Sequence, residues 1–551
     1  MDSAVLGARN LTGCEHRLAL DFAAVDRGAP LVESTEAARR IEAAQAHREA
    51  VVATLLDLQA ARPDAVAVVD DHANLRDRVA ATLAACATDA EWILHAAFPP
   101  DEEKGRRGHA EVLVRDGDGY IPIIIVNHRT TVPVKGERDP EAPPPALRTS
   151  PLGQWRPQPD ATRIMRANRR DTLRLAQLAA MLGDLDYAVS ADRREWVGGV
   201  IGVDADCIAV VPLGEVMDEY DDLLARRRAI AQGLVPTRPR RVNECRSCAL
   251  WPHCEAQLIA ADDVSLVIGG AGGTALQDAG ITTVAQLAAY RGEAPEEWPN
   301  NVSFRDAVVN ANCRRLGVPL VRRLDRPQVQ RADVEVDVDM ESYGERGAYM
   351  WGTLLTDNVD PEPVVYRAFV TWDPLPTQDE GRSFGEFWTW LMRRRAQAHA
   401  QGKTFAAYCY SQQAENRWLR GSADRFAGQP GVPSRADVDA FIDSDEWVDI
   451  YEAVNANFIC PDGKGLKRIA PVAGFGWRDD EAGGEASMEW YALAVGLDDG
   501  PTDLTQRERL LQYNEDDVQA TKVLREWLSS TEILALPTAD EILQGQRHSG
   551  P

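Results

Sequence analysis

In the segment ADVEVDVDMES the acids Glu335, Asp337, Asp339 and Glu341 alternate with apolar residues, so a β-strand there turns all four to one face. Carboxylates stacked on one side of a strand repel one another unless water separates them or cations bind them. An exposed edge strand would account for the first case; two later segments favour the second. In YCYSQQAENRWL, Glu415 opens a helix after an apolar strand, and in LLQYNEDDVQATKVL, Tyr513 and Asp517 lie four residues apart on one helical face. A second chemistry resides in cysteines. Cys245, Cys248 and Cys254, in NECRSCALWPHCE, have the spacing C-x2-C-x5-C and can wrap one metal centre, and Cys14 far upstream would close its coordination sphere. Such an arrangement staples the two ends of a domain together.

These groups need several elements to position them. A chain of 551 residues is too long for one core and predicts two or three domains. We divide it at 1–260, 261–327, 328–530 and a tail at 531–551. The net charge of −26 argues against indiscriminate nucleic-acid binding, because phosphate affinity comes largely from Lys and Arg, so any such site must be local. The runs Arg226 to Arg228, Arg238 with Arg240 and Arg241, and Arg393 to Arg395 are local patches or solvated helix faces. No apolar run is long enough to span a bilayer and no signal peptide is read, so the expected location is the reducing cytoplasm, where this cysteine spacing means metal rather than disulfides. Cys86, Cys207, Cys313, Cys409 and Cys460 read as ordinary small apolar residues. The proline-rich stretch 133–160 reads as an exposed excursion or lid. No Walker A segment is present, so no ATP use is implied and a helicase or repair partner would act in trans.

The segment GRRGHAEVLVRDGDGYIPIIIVNHRTT reads as a hairpin of two apolar strands around a turn from Asp116 to Gly119. With the cysteines, it resembles the RecB-like nucleases of the PD-(D/E)XK fold. The resemblance implies a [4Fe-4S] cluster on Cys14, Cys245, Cys248 and Cys254; zinc on the three later cysteines with Cys14 or His253 is the alternative. It also implies a metal site, and this chain departs from it. The first-strand acid is Glu111, and the family's Asp-x-Lys is here Asn127, His128 and Arg129. His47, in AQAHREA, matches the family's helical metal-binding His, and Gln177 its last-motif Gln, whose Tyr is here Met181. A neutral Asn cannot neutralise Mg2+ and an Arg cannot be deprotonated, so metal affinity should fall sharply. This half is expected to be a weakly active or a degenerate, nucleic-acid-binding version.

Residues 262–290 show an apolar stretch, a Gly-rich turn, a helix and a Thr-capped second helix. They resemble a helix-hairpin-helix, which would aim backbone N–H groups of the turn around Gly270 and Gly272 at a phosphate.

The acid pair D-x-E, the helical acid and Y-x3-D resemble the DnaQ-like (DEDD) 3′ to 5′ exonucleases, in the version whose last motif contains Tyr. On that resemblance Asp339, Glu341, Glu415 and Asp517 would hold two Mg2+ or Mn2+ ions, which stabilise the attacking and leaving oxygens of phosphodiester cleavage, while Tyr513 orients the water. Asp337-x-Asp339 would satisfy the first spacing too, and Glu415 stands where many relatives have Asp. VDIYEAV reads as a buried strand with Asp449, and Lys464, Lys467 and Arg468 are placed to contact a nucleic-acid backbone. The whole order is similar to the actinobacterial RecB-like nuclease family: an α/β chain with a stapled RecB-like domain, a helical hairpin linker and an RNase H-like mixed-sheet domain. The expected function is a metal-dependent nuclease, DNA more than RNA; the alternative is a non-catalytic nucleic-acid-binding or scaffolding protein.

Overall fold

Two mixed sheets organise the chain, one in each of the two units, Met1–Leu258 and Ile259–Pro551, into which it divides. The computed structural model describes residues 4–23, 35–134, 147–360, 363–481, 483–497 and 500–545.

In the first unit, β1 (Val66–Val68), β2 (Trp92–Ala97), β3 (His109–Asp116), β4 (Gly119–Ile125), β6 (Arg148–Ser150), β7 (Gln158–Pro159), β9 (Val197–Ile201) and β10 (Ile208–Pro212) form an eight-stranded sheet ordered β1-β2-β3-β4-β9-β10-β6-β7. A separate pair joins β5 (Thr131–Pro133) to β8 (Arg163–Met165). The β3–β4 hairpin turns tightly because Gly117, at φ +63°, takes the left-handed position that a two-residue turn requires. The period of two then sorts the side chains. Leu113 and Ile124 join Leu173, Ala176 and Met181 of α4 (Arg169–Asp184) in one core. Val112, Val114, Ile121 and Ile123 meet Val51, Val52 and Leu55 of α2 (Thr35–Gln59) in another. Helices α1 (Glu15–Phe22), α3 (Leu75–Ala87), α5 (Met217–Ala231) and α6 (Trp251–Ala260) complete the described helices of this part. Of the stretch expected to be an excursion, residues 135–146 lie outside the described ones. The remainder returns to the sheet: β6 pairs antiparallel with β10, and Leu147 and Leu152 are buried.

The second unit begins with α7 (Gly270–Asp278), α8 (Val284–Ala289) and α9 (Phe304–Leu316), packed on Val264, Leu276, Val284, Leu287 and Val308. The segment read as a tail folds back as far as residue 545. Ala539 and Ile542 of α17 (Ala539–Leu543) are buried beside Val309 and Cys313 of α9, and β11 (Val321–Arg322) pairs with β17 (Phe458–Ile459).

The second sheet contains β12 (Val334–Ser342), β13 (Ala348–Asp357), β14 (Val365–Val370), β15 (Phe405–Cys409) and β16 (Trp447–Asp449), ordered β14-β13-β12-β15-β16. The first three strands form an antiparallel meander, and β15 and β16 run parallel to β12. One face of β12 presents Val336, Val338 and Met340 to an aromatic core with Phe384, Phe387 and Trp388 of α10 (Asp379–Ala400), Trp418 of α11 (Gln413–Arg425) and Phe441 of α12 (Arg435–Ile442). Around the other face lie α13 (Ile450–Asn457), α14 (Leu466–Ile469), α15 (Gly484–Val495) and α16 (Leu504–Leu528), with α16 packed on β12 and β13. The strand expected through VDIYEAV ends at Asp449: its carboxylate accepts from the Tyr451 amide and starts α13. Among the described residues, no helix is long and apolar enough to cross a membrane.

Candidate active site

The acidic face of β12 lies under α16, whose Tyr513, Asp517, Thr521 and Arg525 recur every four residues and so share one stripe. Charge is matched at only one end of this contact. Arg525, fully buried, pairs with Glu335 and places Nη2 2.7 Å from Asp337 Oδ2. Glu335 also accepts from Arg331 at 2.7 Å, Asn358 at 2.9 Å and Tyr408 at 3.0 Å. Burial would push its pKa up, but the hydrogen bonds from Arg331 and the charge of Arg525 outweigh it and hold Glu335 at about 2. Asp337 is therefore part of a structural ion pair, which leaves Asp339 and Glu341 as the first acid pair facing the other end of the stripe.

There, acid meets acid. One oxygen from each of Asp339, Glu341 and Asp517 lies within 4.8 Å of the others. Burial, and then the charges of Asp517, Glu341 and Glu415, raise Asp339 well above the carboxylate range. Burial and Asp517 push Glu341 up to about 8. Asp517 is also raised by burial, against the charge of Lys467 and hydrogen bonds from Trp477 and Tyr513. Glu415 stands in the first turn of α11, buried, with Oε2 lacking a partner; burial moves it to about 8, and Asp449 adds to the rise. Burial thus favours the neutral form of each acid, and a hard divalent cation, which binds ionised carboxylates, would offset that cost.

Neutral donors fix these acids. Trp477 Nε1 donates to Asp517 at 2.6 Å, Ser487 Oγ to Glu341 at 3.2 Å and Asn514 Nδ2 to Asp339 at 2.7 Å. Tyr513 is buried, its hydroxyl hydrogen-bonded to Asp517, and Lys467 Nζ lies 3.1 Å from that hydroxyl. Lys467 belongs to the one-turn helix α14, and Arg478, bonded to Asp516 and Glu515, holds the following segment against α16. Sequence reasoning missed Trp477, Ser487 and Asn514. Only Asn514 carried a signal, its place beside Tyr513 in the last motif.

Other expected residues are held by other partners. Lys464 is bonded to Asn455, and Asp449 accepts from the Ser411 and Gln412 amides ahead of α11. Gly270 is exposed, with φ +61°, at the start of α7. Gly272 is buried, and a Cβ there would lie 2.8 Å from Ile268 Cδ1, so close packing already explains that glycine.

In the first unit the four cysteines line one open pocket of about 350 Å³. Cys14 caps α1, accepting from the Arg17 amide at 3.4 Å, and its neighbours are anchored by Arg226 on Glu15 and Arg227 on the Gly13 carbonyl. Burial raises Cys254 to about 11, and Cys14, Cys248 and Cys245 add to the rise, so each thiol feels the others. The hairpin site differs. Glu111 is buried and paired with Arg174 at 2.8 Å. Asn127 and Arg129 are exposed, Arg129 lying 3.6 Å from Asp204, while His128 bonds Asp171 at 2.8 Å. Gln177 is fully buried and donates to the Leu6 and Arg107 carbonyls; His47 keeps a buried Nε2 without a partner.

A family model described as RNase H superfamily matches residues 423–529. The matched stretch includes Asp449, Lys467, Tyr513 and Asp517, and lies downstream of β12 and Glu415. The C-terminal part of the chain is RNase H-like, a domain type that implies a nucleic-acid substrate and nuclease-type chemistry. No curated protein and no solved structure matches the chain.

Proposed function

We propose that the second unit is a metal-dependent phosphodiesterase that releases nucleotides from the 3′ end of a strand, DNA in preference to RNA. The observation that carries this reading is the mismatch along one helix–strand contact: Arg525 neutralises Glu335 and Asp337, whereas Asp339, Glu341 and Asp517 face one another and, among the described residues, none of the three has an ion pair with Lys or Arg, Lys467 standing off at the Tyr513 hydroxyl. Asp339, Glu341 and Asp517, with Glu415 beside them, would hold Mg2+ or Mn2+. Such ions supply charge stabilisation at the attacking and leaving oxygens. The protein's own groups do the rest. Tyr513, held between Asp517 and Lys467, is placed to orient a water, and Lys467 brings positive charge to the rim where a phosphate would dock. End-labelled DNA and RNA test the reading. Mn2+-dependent loss of a 3′ label before a 5′ label is expected, and its persistence in Asp517→Asn would refute the assignment.

For the first unit we propose a RecB-like domain stapled by a [4Fe-4S] cluster on Cys14, Cys245, Cys248 and Cys254. Their common pocket supports a shared centre. A specific observation favours a non-catalytic role here: Arg174 occupies the carboxylate of Glu111 that a metal would need.

A further inference from the structure

The carboxylate of Asp339 differs from its neighbours in how it is held. Asn514, fully buried on α16, donates from Nδ2 to Asp339 Oδ2 at 2.7 Å. The direction of that amide is set from the other side, where the Tyr366 hydroxyl donates to Asn514 Oδ1 at 2.8 Å. Tyr366 lies on β14, so the chain of bonds runs from the edge strand, over β13, to the central strand. It passes over Gly352, which pairs directly with Asp339 in the β12–β13 register. A Cβ at position 352 would overlap Asn514 Oδ1 outright and lie 2.7 Å from its Cγ. The glycine thus opens a slot in the sheet for the amide.

Resting on the reading of this site as a metal centre, we infer that Asn514 is a positioning residue, seated by the Gly352 slot and aimed by Tyr366, which fixes the Asp339 carboxylate beside Glu341 and Asp517. The chemistry favours an amide in this role. Arginine, used on Glu335 and Asp337 a few residues away, would neutralise the carboxylate and compete with a cation; an amide donates one hydrogen bond and adds no charge. The bond to Tyr366 matters equally, because an amide free to rotate could present its oxygen to Asp339 and repel it. Partners behind a ligand commonly change metal affinity by about 10–100-fold.

The test is Mn2+ binding by the full-length protein without substrate, followed by titration calorimetry and by the electron paramagnetic resonance of free Mn2+. Asn514→Ala should weaken binding by about 10–100-fold. Tyr366→Phe, which keeps the ring and removes only the hydroxyl, should weaken it several-fold in the same direction, and it carries the test if Asn514→Ala does not fold. Val338→Ala, on the apolar face of the same strand, controls for simple destabilisation and should leave Mn2+ affinity at the wild-type value while lowering the unfolding midpoint. Wild-type Mn2+ affinity in both Asn514→Ala and Tyr366→Phe, or an equal loss in Val338→Ala, would overturn the inference. Failure of the underlying reading is distinguishable: there, wild-type protein binds no Mn2+, or Asp517→Asn binds it unchanged.

Discussion

Replacing Glu415 by Gln should make the metal-free protein more stable, and by an amount that depends on pH. Glu415 is buried and one of its oxygens lacks a partner, and burial moves its pKa from the ordinary 4.5 to about 8. In the unfolded chain the carboxyl loses its proton near the ordinary value; in the folded chain it keeps the proton until about 8. Between these limits the folded state binds the extra proton, so stability falls as pH rises, by about 1.4 kcal/mol per pH unit for one group. At pH 7 the accumulated loss is about 3 kcal/mol. Gln has nearly the same shape and never ionises, so it escapes this loss. Urea unfolding of the full chain in EDTA at pH 5, 6, 7 and 8, followed through tryptophan fluorescence, measures the difference; buried Trp418 lies one turn along the same helix. The gap should be small at pH 5 and reach about 3 kcal/mol at pH 7. With saturating Mn2+ the order should narrow or reverse, because bound metal favours the ionised carboxylate. A gap independent of pH in EDTA would refute the argument.

Asp339→Asn and Asp517→Asn should each lower Mn2+-dependent release of 3′ nucleotides by at least about a hundredfold, with no loss of metal-free stability, because each removes one member of a repelling group; end-labelled substrates and unfolding curves measure both. Arg525→Met should destabilise the second unit by about 3–5 kcal/mol in urea unfolding, since it strands the buried carboxylates of Glu335 and Asp337. Cys14→Ser should lose the iron and the brown colour of anaerobically purified protein; a colourless wild type with stoichiometric zinc would replace the cluster by zinc. Glu111→Gln should leave nucleotide release unchanged, as the pair with Arg174 implies, and loss of activity would place chemistry in the first unit.

Local pattern and the period of a strand suffice to put Glu335, Asp337, Asp339 and Glu341 on one face, and the spacing of Tyr513 and Asp517 suffices to put them on one helical stripe. The turn at Gly117 is likewise local, since only the residue and its two flanking strands enter into it. The strand expected through VDIYEAV holds only as far as Asp449, for a reason that pattern alone hides: the residues after it suit a strand or a helix, and the Asp449 cap on α13 decides between them. Which acids are neutralised was not legible. Arg525 reaches Asp337 across 188 residues of sequence, and nothing near either residue announces the partnership. The same holds for Arg174 on Glu111, 63 residues apart, and for Tyr366, Gly352 and Asn514 behind Asp339. Residue type and local period are enough to set which acids this chain carries and their order along it. Which carboxylates lie opposite a cation and which lie opposite one another depends on the folded chain, because burial and long-range packing set the charge each one keeps.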